Sequence, residues 1–155
     1  PVYLWTLPMF HCNGWCFPWT LAALNGTSVC LRNVSAEAIY TLIKQHHVSH
    51  LCGAPIILSM MAQAEDHLKL GIEQQVNIMT AASAPPPAIL EAMAELDFKV
   101  THTYGLTEVY GPAVVCSWHQ QWDQLSIPEQ AELKSRQGVR YPMLEQLVVA
   151  DPETL

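Results

Sequence analysis

The residues between 101 and 112 read Thr-His-Thr-Tyr-Gly-Leu-Thr-Glu-Val-Tyr-Gly-Pro and concentrate more reactive chemistry than any other stretch of the chain. Tyr104 offers a flat face to a base, and Gly105 lets the backbone turn sharply and come close to a ligand. Thr107 can donate a hydrogen bond to a phosphate oxygen, and Glu108 presents a hard oxygen of the kind Mg²⁺ prefers. Together they suit a magnesium nucleotide. The bland alternative is a polar turn joining two strands, and the string alone does not choose between them. Its position favours the first reading. Both it and the small-residue run Ala81-Ala82-Ser83-Ala84-Pro85 follow strand-like segments in adjacent units. Their loops should emerge together at one end of a sheet and wall a crevice.

The elements that must hold these loops alternate along the chain. Residues 2–7 read as a buried strand ending at Pro8, which places His11 in the loop beyond its C-terminal end. A helix over 14–24 tolerates Pro18 near its first turn and stops at Asn25-Gly26; residues 27–31 form a second strand. Ser35 caps a helix running to His46, with Ile39, Leu42, Ile43 and His46 on one face. A strand over 48–52 turns at Gly53-Ala54-Pro55 into a helix over 56–64, and residues 74–80 form the strand entering the small-residue loop. A helix over 86–97, apolar at Ile89, Met93 and Leu96, precedes the strand 99–104. This order predicts an α/β fold of right-handed βαβ units around a largely parallel sheet. Beyond Pro112, Ser126-Ile127-Pro128-Glu129 resembles a capping box for a helix to Arg136, Gly138 ends it, and residues 146–150 read as one more strand. The stretch around Trp118 and Trp122 carries no periodicity that assigns it.

The chain has 155 residues, half of them hydrophobic, a size suited to one domain with a real core. Its net charge of −7, from 14 acidic residues against 7 Lys plus Arg, argues against a nucleic-acid surface. The apolar opening to Leu24 lacks a basic residue before Arg32 and is broken by Pro8, His11, Asn13 and Pro18, so neither a signal peptide nor a membrane span is expected. Cysteines 12, 16, 30, 52 and 116 show no CxxC pairing and sit among apolar neighbours, which suggests reduced, mostly buried thiols in a cytoplasmic protein that is not integral to a membrane. His11 with Cys12 and Cys16 fits none of the usual zinc spacings. Because the chain begins at Pro1 and stops at Leu155 with no clear helix end, it reads as a piece of something longer. Apolar faces left open in such a piece should promote self-association.

Tyr104-Gly105-Leu106-Thr107-Glu108 resembles the Tyr-Gly-x-Thr-Glu signature of the acyl-adenylate-forming superfamily, the AMP-dependent synthetases and ligases. The same order and spacing hold upstream. Pro8-Met9-Phe10-His11-Cys12-Asn13-Gly14 resembles that family's aromatic/His motif, and Thr80-Ala81-Ala82-Ser83-Ala84-Pro85-Pro86 resembles its adenine loop, with Ala81 and Ala82 where glycines are common. The resemblance covers essentially the whole chain and implies the central part, residues 1–155, of the larger adenylate-forming N-terminal domain. The phosphate loop and the C-terminal lysine domain have no counterpart within these residues.

The resemblance further implies an acid–CoA ligase that uses ATP, Mg²⁺ and CoA, forms an acyl-AMP and then an acyl thioester, and belongs to fatty-acid metabolism; the isolated piece should be inactive. Ala82, Ser83, Ala84, Pro85, His102, Thr103, Tyr104 and Gly105 would hold the nucleotide, His102 and Thr103 through main-chain contacts. Thr107 would contact phosphate, Glu108 would bind Mg²⁺, and His11 would lie by the substrate carboxylate. A loop histidine that caps a carbonyl is the plain alternative for His11. Trp15, Gly53, Ala54 and Pro55 are candidates for the acyl pocket, although Trp15 serves equally well as a core aromatic. The tryptophan-rich segment 10–19 and Cys52-Gly53-Ala54-Pro55 look more like synthetases of small to medium carboxylic acids than amino-acid adenylation domains, with methyl-branched, thioether and aryl acids all open. Two further readings remain at this level: a non-catalytic nucleotide- or acyl-binding module of the same fold, and an unrelated α/β structural domain.

Overall fold

A computed structural model describes residues 1–11 and 16–154. Strand β1 (Val2–Trp5) alternates Leu4 toward one face of the sheet with Tyr3 and Trp5 toward the other, as the period of two requires. Helix α1 (Phe17–Ala23) covers the Tyr3 face with Phe17 and Leu21 and leads to β2 (Thr27–Cys30). Helix α2 (Ala36–His46) starts where Ser35 Oγ accepts a hydrogen bond from the Ala38 amide at 3.1 Å, and it buries Ile39, Tyr40 and Ile43 on the Leu4 face. Its end is marked by His47 at φ 49°, a left-handed position that glycine usually fills.

Strand β3 (His50–Cys52), helix α3 (Pro55–Ala62), the short helix α4 (Asp66–Lys69), β4 (Val76–Thr80), helix α5 (Pro87–Glu95) and β5 (Phe98–Leu106) continue the winding. Proline opens α3 and α5, where its missing amide costs nothing. The core on the Leu4 face joins Leu51, Ile78, Val76 and Val100 of the strands to Leu58, Met61, Leu90 and Met93 of the helices. Tyr40 donates its hydroxyl hydrogen to the Met61 carbonyl at 2.9 Å, so this buried polar group is satisfied.

With β6 (Gly111–Val115) and β7 (Val139–Arg140) added, the seven-stranded sheet runs β2-β1-β3-β4-β5-β6-β7, and its first five strands are parallel. Strand order reverses between β1 and β3, which makes the space beyond their C-terminal ends a switch point for ligand binding. The predicted α/β class and largely parallel sheet are therefore what the chain adopts.

Several boundaries differ from the sequence reading. The motif strand is longer than expected: Tyr104, Gly105 and Leu106 still belong to β5, and only Thr107–Val109 turns, as a 3₁₀ helix. The chain then returns antiparallel as β6 (Gly111–Val115), so the motif turn joins two strands. A 3₁₀ helix at Gln120–Gln124 occupies the unassigned tryptophan region, with Trp118 packed edge-on to Trp122. Helix α6 (Ile127–Lys134) begins with the expected capping box, in which Glu129 accepts from the Ser126 amide at 2.9 Å. The last strand is β7 (Val139–Arg140), paired to β6. Residues 146–150, expected as a strand, form none: Val149 is 104% exposed and no neighbouring strand receives this run.

Candidate functional site

The loops after β1, β4 and β5 meet at the C-terminal end of the sheet. They enclose a cleft of about 300 Å³ lined by His11, Ala81, Ala82, Thr103, Gly105, Gly111 and Pro112. His11 arrives there on a turn in which its amide donates to the Pro8 carbonyl at 3.0 Å. The parallel register aligns Thr80 with His102, so the small-residue loop leaves β4 beside Thr103. Thr103 Oγ1 donates to the Thr80 carbonyl at 3.4 Å and ties the two strand ends together.

Ala82 holds φ at 81°, a left-handed backbone that glycine adopts without penalty and alanine does not. Its side chain, with those of Ser83 and Ala84, is exposed, while Pro85 is buried against the fold. The loop thus presents backbone and small groups toward the cleft. The two buried side-chain polar atoms without a partner among the described residues, Trp5 Nε1 and Thr80 Oγ1, both belong to the last residue of a strand entering this end.

Gly105 has a cause that the sequence could not supply. A Cβ there would lie 2.0 Å from the Gly111 carbonyl oxygen, because the β5–β6 ladder is irregular between Tyr104 and Gly105 and the two backbones nearly touch. The close approach serves the hairpin as well as any ligand. Gly111, at φ 112°, closes the return.

His102 is buried on the core side, its Nδ1 2.9 Å from the Arg136 carbonyl oxygen, and its own carbonyl accepts from the Cys116 amide at 2.8 Å. Burial holds its ring below the ordinary histidine value. Tyr104 is 39% exposed and stands at the rim. Thr107 and Glu108 lie just beyond, exposed on the 3₁₀ turn and outside the cleft lining. Gly53, Ala54 and Pro55 form the turn from β3 into α3, where the Gly53 amide donates to the Met79 carbonyl at 2.9 Å. Trp15 lies outside the described residues.

On the Tyr3 face a second cavity of about 560 Å³ opens next to the cleft, and Thr103 lines both. Tyr3, Phe17, Cys52, Met79 and Tyr141 give it a largely apolar wall. Tyr3 and Phe17 stack at 5.0 Å between ring centroids. Burial raises the Cys52 thiol to about 11 and raises the Tyr3 hydroxyl further, with Cys52 adding to the rise; burial lowers His50. All three are therefore neutral near pH 7. The sequence reading missed these residues, and the alternation in Val2–Trp5 and in Val76–Thr80 was the available signal.

Among the described residues no group of three or more His, Cys, Asp or Glu side chains could hold a metal. A Mg²⁺ at Glu108 would take most of its oxygens from phosphate and water, which agrees with its ordinary preference. Glu108 by itself presents one exposed carboxylate on the 3₁₀ turn.

The AMP-binding enzyme family matches residues 1–155, and the chain belongs to it. It is 54% identical over 155 residues to an acetate/butyrate–CoA ligase of Arabidopsis thaliana named as peroxisomal, covering 99% of this chain and 27% of that protein. It is 50% identical to a 2-methylpropanoate–CoA ligase of Humulus lupulus over 154 residues, again 99% of this chain and 27% of the relative. The chain thus spans about a quarter of the length of these curated relatives. An o-succinylbenzoate CoA synthetase of Bacillus subtilis, solved with its acyl-adenylate intermediate, superposes with a TM-score of 0.70 at 22% identity, over 90% of this chain and 33% of that one. That likeness concerns the fold. No helix among the described residues is long and apolar enough to cross a membrane.

Proposed function

We propose that the protein to which these residues belong is an ATP-dependent ligase that joins a small aliphatic carboxylic acid to CoA, and that residues 1–155 are a central part of its N-terminal domain. The observation that carries this reading is the convergence of His11, the Ala81-Ala82 loop and the Thr103–Gly105 strand end on one cleft. A carboxylate oxygen attacks the α-phosphorus of ATP, pyrophosphate leaves, and the CoA thiol then displaces AMP from the acyl group.

The Ala82-Ser83-Ala84-Pro85 loop lies along the adenine with main chain foremost, and the Tyr104 ring closes over it. His102 and Thr103 complete that wall through their backbone. Thr107 donates to a phosphate oxygen, and Glu108 offers its carboxylate to the metal. Mg²⁺ bound there would offset the charge that builds on the departing pyrophosphate, which an acidic protein does not otherwise supply. His11 orients the substrate carboxylate at the cleft mouth. Gly53, Ala54, Pro55 and Trp15 flank the acyl group, whose tail enters the uncharged cavity beside Tyr3, Cys52 and Met79. The acids in the relatives' names are short and aliphatic, which agrees with such a wall.

Unpaired thiols at Cys16, Cys30, Cys52 and Cys116 suit a reducing compartment, and we place the protein in the cytoplasm. Exposed Met143, Val148 and Val149 favour self-association of this chain by itself, which light scattering reads directly. Acid-dependent ATP–pyrophosphate exchange on the parent protein tests the main reading. Glu108→Ala is expected to reduce exchange by about 10²-fold or more; near-normal exchange would remove Glu108 from the reaction. Nucleotide-dependent stabilisation without any exchange would favour a binding module of the same fold.

A further inference from the structure

Away from the cleft, a polar opening of about 470 Å³ lies beside the first half of β5. Here β5 has outrun its antiparallel partner, since β6 pairs only from Thr103 onward, and the chain between β6 and α6 wraps the free edge. Lys99 and Thr101 face this opening from β5, Gln130 and Lys134 from α6, and Trp118 and Asp123 from the connection. Two ammonium groups thus share one small space in a protein of net charge −7.

The arrangement fixes one lysine and offsets the two charges only in part, through Asp123. Lys134 Nζ sits 4.7 Å from the centroid of the Trp118 ring, which holds the cation in place without neutralising it. Asp123, the one carboxylate in the lining, spends an oxygen on the Trp118 indole N–H at 2.6 Å. Among the described residues, no carboxylate lies within salt-bridge distance of Lys99 or Lys134. Burial first, and then the nearby Lys99 charge, hold the Lys134 ammonium below the ordinary lysine value, with Asp123 offsetting part of the fall. Gln130 already donates to the Leu125 carbonyl at 2.9 Å, which fixes its amide at the rim.

We propose that this opening is an oxyanion site that takes a phosphate dianion between Lys99 and Lys134. It is separate from the nucleotide cleft and independent of the ligase reading. A dianion there would receive two charge-assisted hydrogen bonds and cancel the mutual repulsion of the lysines. Thr101 is placed to add a hydroxyl donor.

The Trp118 indole N–H resonance, assigned by its loss in Trp118→Phe, reports on the site directly. Titration with sodium phosphate at constant ionic strength should shift it along a saturating curve, whereas sodium chloride should not move it. Lys134→Met should weaken the response by about tenfold or more, the loss expected for one charge-assisted hydrogen bond, and Lys134→Arg should largely restore it. Asp123→Asn removes the competing charge, keeps an acceptor for Trp118, and should tighten binding. Replacing phosphate by AMP separates a free oxyanion from a nucleotide phosphate; saturation by either supports the site. A shift that is linear in concentration, equal for chloride, or unchanged in both Lys134→Met and Lys99→Met would overturn it.

Discussion

Gly105→Ala is the sharpest test of why the motif glycine is there. The new Cβ would stand 2.0 Å from the Gly111 carbonyl oxygen, 2.6 Å from its carbon and 2.7 Å from Pro112 Cα. Comfortable separations are about 3.5–4.0 Å, so the facing backbone must retreat by roughly 1.5 Å. All three atoms are main chain, and no side chain can swing aside. A ladder hydrogen bond lengthened by that amount no longer qualifies as one. One or two lost bonds at about 1 kcal/mol each, added to the strain of an overfilled contact at about 1–3 kcal/mol, give a cost of about 3 kcal/mol. Gly105 is not among the left-handed positions, so none of this comes from φ. For a domain of this size the loss corresponds to about 6–12 °C in Tm. Guanidinium unfolding followed by near-UV circular dichroism would read it, with Gly26→Ala as a control. There the nearest atom is the flexible tip of Leu21 at 2.8 Å, and the expected loss is much smaller. A Gly105→Ala midpoint equal to wild type would refute the reasoning.

The opposite change at Ala82 should stabilise the fold. Ala82→Gly removes about 1–2 kcal/mol of left-handed strain and gives back part of it as chain entropy, leaving a gain of about 0.5–1 kcal/mol by denaturant titration. Thiol labelling mapped by mass spectrometry should modify Cys16 and Cys30 in the native protein, with Cys52 and Cys116 reacting only after unfolding, because both are buried and burial raises both thiols. The His102 value is lowered in the folded state, so the unfolded chain binds its proton first. Its contribution is present above about pH 6.5 and lost as pH falls below it. Unfolding free energy should therefore drop between about pH 6.5 and 5 more steeply in wild type than in His102→Asn, and equal slopes would argue against this assignment.

Local rules made much of the frame legible. Ser35 and Ser126 announce their helices because each side chain satisfies an end that the helix cannot satisfy itself. The alternating strands and helices up to β5 follow from hydrophobic period and turn residues. The hairpin after Glu108 was hidden because β6 begins Gly-Pro, a turn signature, and because β7 has only two residues. Helix α4 is a single short turn with nothing buried. Residues 146–150 carry a strand-like composition, but a strand needs an available edge, which composition does not report. The same limit applied to the site. Motif order located the loops after β1, β4 and β5, whereas the cavity on the Tyr3 face depends on which alternate side chains face α1, a matter of tertiary register. Two charges at Lys99 and Lys134 looked unrelated in sequence because only the end of β6 brings them together.

Thr103 borders both the cleft and the apolar cavity. A partition shared by two chambers cannot be moved for one alone. With the nucleotide in the cleft and the acid in the cavity, as proposed, enlarging this residue to narrow the choice of acid would also crowd the nucleotide, and trimming it to admit a bulkier acid would loosen the tie to Thr80 at the base of the Ala81–Pro85 loop. Acid preference and ATP affinity should therefore drift together among variants at this position, and a change in diet would have to come from the farther walls at Tyr3, Phe17 or Met79.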